Sequence, residues 1–204
     1  MRKNNARATV FENFNKDYYT TDSYDDYLTR FTKEGQDCAS RLIKVVEPDS
    51  NWRFLDVGCG MGGLILALRK LGFEAWGTEV SPFCLKFSPA KKWMQFGSIC
   101  KLSYPDNSFD VVTCTDVLCY LNREKTMKAI KELIRIAKHY LYIESICKDS
   151  PNSNQQLNPD PLRKDNCLLT ANEIKTMFEK NNTLFLEPLY TEKEPRDFNG
   201  VFVK

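Results

Sequence analysis

Histidine is almost missing from the sequence: His139 is the one example among 204 residues. The eight cysteines form no C-x-x-C pair, so the ligand spacing of a structural zinc site is absent and no metal centre is expected. Net charge is nearly missing too, since 29 Lys and Arg against 27 Asp and Glu leave a formal +2, too little for a global field that wraps a polyanion. No stretch approaches the roughly 18 apolar residues of a membrane span. The basic, polar run Met1 to Val10 leads into Phe11-Glu12-Asn13-Phe14-Asn15-Lys16 and not into an apolar secretory core. These absences point to a cytoplasmic protein with reduced thiols, three of which, Cys59, Cys100 and Cys114, fall in predicted strands or a glycine turn.

What is present suits one core with appendages, because 42% of the residues are hydrophobic over this length. Residues 1–49 read as a polar, aromatic-rich helical extension, with helices at about 24–31 and 35–46, the second stopping before Pro48. From residue 50 the pattern changes to alternating strands and helices. Trp52 to Val57 reads as a buried strand, Leu64 to Leu68 as a helix ending near Gly72, and Phe73 to Val80 as a second strand. Ser81-Pro82 opens a short helix with a capping residue followed by proline at the first position. Strands follow at about 93–99 and 109–115, then a helix from Arg123 to Lys138 and a strand from Tyr140 to Ser145. After a Pro-, Asn- and Ser-rich loop insertion at 147–168 come a helix at about 170–181 and strands near 184–190 and 200–204. This alternation predicts a doubly wound α/β domain over 50–204, a mostly parallel seven-stranded sheet whose last two strands run antiparallel and give it an antiparallel edge.

Leu55-Asp56-Val57-Gly58-Cys59-Gly60-Met61-Gly62-Gly63 stands where the first strand hands over to a helix. Residues without Cβ atoms at Gly58, Gly60 and Gly62 permit a tight turn and let a ligand press against backbone, while the helix beyond offers free N–H groups to an anion. The spacing also spells a dinucleotide fingerprint, and Glu79 lies about twenty residues on, where either cofactor presents a ribose. Asp56 separates the two. A carboxylate there repels a pyrophosphate but attracts the ammonium and sulfonium of S-adenosylmethionine. Glu79 ends its strand at the carboxyl edge of the sheet, and its two oxygens match two vicinal hydroxyls.

With LDVGCGMG at Leu55 to Gly62, an acid at Glu79 and PDNSFDVV at Pro105 to Val112, the chain resembles the class I S-adenosylmethionine-dependent methyltransferases, in particular their small-molecule branch, over about residues 50–146. The resemblance implies a Rossmann-like fold and S-adenosylmethionine as cofactor, with S-adenosylhomocysteine as product. It implies that Asp56, Gly58, Cys59, Gly60 and Gly62 hold the methionine end, Glu79 the ribose, Val80 one adenine face and Ser98-Ile99 the adenine edge. Cys114 and Thr115 would border the methyl group. Two departures stand out. Similar proteins carry Gly-Asp where this chain has Gly97-Ser98, which implies cofactor binding weaker by on the order of 1 kcal/mol, because a hydroxyl accepts a weaker hydrogen bond than a carboxylate. They often carry Glu-His, sometimes a metal-binding pair, where Cys119-Tyr120 stand, which implies metal independence.

Methyl transfer needs alignment and exclusion of water above all, and a proton acceptor only when the attacking atom must lose a proton. Candidates for that role at the carboxyl ends of the fourth and fifth strands are Asp116, Tyr120 and Glu144, although Asp116 could instead cap a helix and Glu144 could pair with a lysine. His139 reads as structural, at the opposite end of the sheet. Tyr24, Tyr27, Leu28 and Phe31 form a helical stripe that is either core packing or, with Tyr18 and Tyr19, part of a substrate lid. The expected partner is a small molecule. Nucleic acid is not indicated: Lys86, Lys91, Lys92 and Lys101 read as solvated surface, and no Asn-Pro-Pro-Tyr follows the fourth strand. A weakly active methyltransferase-like scaffold and a nicotinamide oxidoreductase remain as alternatives.

Overall fold

The computed structural model describes residues 13–21, 26–149, 160–163, 169–186 and 198–204. Twelve elements follow along the chain: α1 (Tyr27–Val46), β1 (Arg53–Val57), α2 (Gly63–Lys70), β2 (Glu74–Glu79), α3 (Pro82–Phe87), β3 (Met94–Phe96), β4 (Phe109–Thr115), α4 (Arg123–Ile136), β5 (Ala137–Ser145), α5 (Ala171–Glu179), β6 (Leu184–Leu186) and β7 (Phe198–Val203). The seven strands form one sheet in the order β3-β2-β1-β4-β5-β7-β6. β1 pairs in parallel with β2 and β4, β2 with β3, and β4 with β5. The expected antiparallel strand stands at the mixed end of the sheet, where β7 is inserted between β5 and the outermost β6.

Both faces of the sheet are covered, so β1 beyond Arg53 and β4 up to Cys114 are buried throughout. On one face Leu55, Val57, Val112, Cys114, Leu141 and Ile143 pack with Ile130 and Leu133 of α4 and Ile174 and Phe178 of α5. On the other, Phe54, Val111, Tyr142 and Val201 pack with Cys38, Ala39, Leu42 and Val46 of α1 and Leu64, Ile65 and Leu68 of α2. Helix starts are specified locally. Ser81 caps α3 ahead of Pro82, Asn122 caps α4, and Thr170 with Glu173 closes a reciprocal capping box on α5. Among the described residues no helix is long and apolar enough to cross a membrane.

The structure corrects several boundaries. The two helices expected at 24–31 and 35–46 are one helix of 20 residues. Gly35, at the start of the second expected helix, sits inside it, where a Cβ would run into the backbone of Gly63, and one at Gly63 would run into the Phe31 carbonyl. The glycines mark the place where α1 crosses the start of α2. The third strand is only Met94–Phe96, after which the backbone turns and Lys101 N–H bonds the Ser98 carbonyl at 2.9 Å. α4 stops at Ile136 because Ala137 already adopts extended backbone and begins β5. His139 therefore lies within β5, at its amino end, with its ring 5.1 Å from that of Trp52.

Candidate functional site

The strand order reverses between β1 and β4, so their carboxyl ends diverge into helices on opposite sides and leave a crevice, the usual ligand site of open α/β sheets. The glycine turn fills the β1 side of it. Its three glycines take φ of 79° at Gly58, 51° at Gly60 and 72° at Gly62, a left-handed region costly for other residues. The turn is anchored to the next strand: the N–H groups of Gly58 and Cys59 both reach the Thr78 carbonyl, at 2.7 and 3.3 Å. Val117, which follows β4, closes against Gly58 from the other side of the crevice.

Asp56 lies directly beside Thr113 in the parallel register of β1 and β4. The Thr113 hydroxyl donates to its Oδ1 at 2.8 Å and is the one hydrogen-bond partner of that carboxylate among the described residues. Burial pushes the Asp56 carboxyl up to about 7; the Thr113 hydroxyl pulls it down and the Glu79 carboxylate adds a further upward push. A cation placed beside Asp56 would relieve this unfavourable state.

Glu79 sits two residues beyond Gly77, the β2 neighbour of Asp56, so the two acids share a face of the sheet. Only 4% of Glu79 is exposed. Its Oε2 accepts from Gly60 N–H at 2.7 Å, and its Oε1 accepts from Val80 N–H at 2.7 Å and Ser81 N–H at 2.8 Å. Burial raises its pKa, while these backbone donors, Ser81 foremost, oppose the rise. Three of roughly four lone-pair directions are thus used, which keeps one for a ligand hydroxyl and fixes the carboxylate against the turn.

An aromatic segment crosses above the turn. The Tyr27 hydroxyl accepts from Met61 N–H at 3.0 Å. Tyr19 is buried, with its ring stacked on Phe83 at 5.8 Å and its phenol pushed up by burial and then by Glu79. On the far side the Tyr18 and Tyr120 hydroxyls meet at 2.8 Å, and both donate to Asp160 Oδ2, at 3.0 and 2.7 Å. Tyr18, Tyr19 and Tyr27 are therefore gathered near the glycine turn; Tyr24 lies outside the described residues.

The remaining candidates divide. Val80 and Ser98 are half-buried at the ends of β2 and β3, and Ile99 is buried. The Ser98 hydroxyl accepts from Cys100 N–H at 3.3 Å, shaping the turn after β3. Thr115 is half-buried at the β4 end, but Cys114 is fully buried among Leu55, Val57 and Ile143, on the face opposite Asp56. Asp116 is exposed at φ 54°, and its N–H bonds the Glu144 carbonyl at 2.9 Å. Glu144 belongs to a different group: its Oε1 accepts from the Tyr142 hydroxyl and pairs with Arg41 of α1 at 3.3 Å. The partner foreseen for it was a loop lysine, and the observed one is a helix arginine. Burial raises the thiols of Cys59, Cys114 and Cys119, and all seven described cysteines are free.

Sequence reasoning missed Thr113, Arg41, Asp160 and Arg163. Thr113 was within reach, since strand pairing places it beside Asp56. Asp160 and Arg163 carry no local signal. Asp160 is fully buried and Arg163 is 4% exposed, yet both stand in a stretch whose composition reads as a solvated loop.

Comparison with known proteins adds to this geometry. Residues 55–141 match the family model described as "Methyltransferase domain". An uncharacterised methyltransferase of Schizosaccharomyces pombe is 28% identical over 65% of this chain and 52% of its own length. The ajmaline N-methyltransferase of Rauvolfia serpentina is 28% identical over 53% of this chain and 41% of its own. The chain thus spans about half the length of the curated relatives it matches. Among solved structures, magnesium protoporphyrin IX methyltransferase from Synechocystis PCC 6803, with bound S-adenosylhomocysteine, superposes with a TM-score of 0.65 at 16% identity, covering 93% of this chain and 97% of that one.

Proposed function

We propose that the chain is a class I S-adenosylmethionine-dependent methyltransferase, a reading supported by the methyltransferase-domain match over residues 55–141, and that it transfers a methyl group from S-adenosylmethionine to an oxygen or nitrogen atom of a small molecule. The observation that carries the reading is the pair of desolvated carboxylates, Asp56 and Glu79, on one face of the sheet around the glycine turn. Asp56 suits an ammonium, which would return its raised carboxyl to the ionised form. Glu79 suits a ribose hydroxyl through its remaining acceptor position. Val80 and Ile99 would flank a planar base, with Ser98 at its edge.

S-adenosylmethionine supplies a methyl group already activated by its sulfonium, so the chain's part is to orient the acceptor and keep water out. The aromatic cover over the turn serves exclusion. Thr115, Asp116 and Tyr120, all from the end of β4, stand on the acceptor side, where Tyr120 can hold a hydroxyl or amine. Glu144 is engaged by Tyr142 and Arg41 and serves the α1 packing instead. The methyltransferase-domain match supports this reading over a nicotinamide oxidoreductase. Similarity to the ajmaline N-methyltransferase supports a small acceptor.

The test is incubation of the protein with methyl-tritiated S-adenosylmethionine and pools of small hydroxyl and amine compounds. Label in a small product, lost in Asp56→Asn, supports the reading; cofactor binding with no labelled product from any pool favours the scaffold alternative.

A further inference from the structure

The segment from Phe14 to Tyr18 touches both walls of the crevice. At its start the Phe14 carbonyl accepts from Ser81 Oγ at 2.5 Å, at the end of β2. The Phe14 ring meets those of Tyr18 and Tyr120 edge-on at 5.1 and 5.5 Å, and Tyr120 follows the end of β4. Since β1 lies between β2 and β4 in the sheet, the segment passes over the end of β1 and its glycine turn, like a strap.

Among the described residues, the polar contacts at the far end of this strap converge on one oxygen atom. Asp160 Oδ2 receives the Tyr18 hydroxyl at 3.0 Å and the Tyr120 hydroxyl at 2.7 Å, with Arg163 Nε at 3.3 Å. Its Oδ1 accepts from Leu162 N–H at 2.9 Å. The two phenols and the Leu162 amide thus occupy most of the acceptor positions of its carboxylate. It acts through the two tyrosines. Because Asp160 is fully buried, withdrawal of Tyr18 removes a charge-assisted hydrogen bond in a place where water does not readily replace it.

We propose that Asp160 is a positioning residue that holds the strap Phe14–Tyr18 closed over the cofactor cleft, so that ligand exchange requires the Tyr18–Asp160 contact to break. The proposal rests on the reading of this cleft as the S-adenosylmethionine site. It makes the loop before α5 a partner of the N-terminal segment, and it gives Tyr18 a role distinct from simple aromatic packing.

The experiment measures dissociation of S-adenosylhomocysteine from immobilised protein for the wild type, Tyr18→Phe, Asp160→Asn and the double variant. Each single change is expected to speed release about tenfold, equal to about 1.4 kcal/mol, and the double variant to be no faster than the faster single one, because both delete the same contact. Unchanged release in Tyr18→Phe, or effects that multiply in the double variant, overturns the proposal. Hydrogen exchange at the Tyr19 amide, which bonds the Lys16 carbonyl at 3.0 Å, reads the strap without any ligand. Protection lost in both single variants supports the latch, and protection retained in both overturns it. Wild-type protein that binds no S-adenosylhomocysteine refutes the assignment of the cleft, and the exchange measurement then decides the strap on its own.

Discussion

Asp56→Asn is expected to make the protein more stable and its cofactor site weaker, and the pH dependence separates the two effects. In the folded chain the Asp56 carboxyl is raised from 3.8 to about 7. Between those values the unfolded chain gives up its proton and the folded chain keeps it, so stability falls as pH rises from about 4 to about 7 and then levels off. A shift of roughly three units corresponds to on the order of 4 kcal/mol at most. Asparagine can still accept from Thr113 and carries no charge to desolvate, so the variant lacks this penalty. Urea unfolding of both proteins at pH 4.5 and pH 8 isolates the effect of Asp56 together with its coupling to Glu79, because titrating groups not coupled to Asp56 cancel in the difference between them. The variant should be more stable than wild type at pH 8, by about 2–4 kcal/mol, and within about 1 kcal/mol of it at pH 4.5. The same change should weaken S-adenosylhomocysteine binding at pH 8 by about tenfold or more, as expected for loss of a charge-assisted hydrogen bond. Equal destabilisation by asparagine at both pH values would refute the reasoning, since the carboxylate would then serve the fold and not a cation.

Ser98→Asp should tighten binding of S-adenosylmethionine about fivefold, on the order of 1 kcal/mol, while keeping the turn bond to Cys100; unchanged or weaker binding by calorimetry removes the argument. Gly60→Ala places a Cβ against the Tyr27 hydroxyl at φ 51°, and thermal unfolding should register a loss of about 1–3 kcal/mol together with loss of ligand binding. Arg41→Met, which breaks a partly exposed pair with Glu144, should cost on the order of 1 kcal/mol of stability and leave S-adenosylhomocysteine affinity within about twofold. A large change in affinity would return Glu144 to the site. A chelator should leave that affinity unchanged, consistent with Cys119 and Tyr120 standing where a metal-binding pair would be.

The part of the candidate site around the glycine turn is legible in the sequence because it is local. The Asp56-to-Gly63 turn and Glu79 are set by a strand ending and a helix beginning, and the alternation of buried strands with capped helices gives the sheet. The contacts of Asp160 and Glu144 are distant in sequence. Asp160 meets Tyr120 across 40 residues and Tyr18 across 142, while Glu144 meets Arg41 across 103, and no periodicity encodes such pairings. Gly35 illustrates the same limit within an element. Glycine lowers helix propensity, so α1 reads as two helices, whereas the crossing with Gly63 makes that glycine the residue that lets the helices approach. His139 was placed at the correct end of the sheet but not inside β5, because strand starts are set by pairing with β4 and β7 more than by the residues themselves.

The central claim, that the Asp56–Glu79 cleft holds an adenosyl cofactor, is tested most directly by calorimetry with S-adenosylmethionine, S-adenosylhomocysteine and NADH on wild-type protein and Glu79→Ala. The account predicts binding of both adenosyl ligands and not of NADH, with affinity reduced about tenfold or more by the substitution. Binding of NADH alone, or adenosyl binding that Glu79→Ala leaves unchanged, would contradict it.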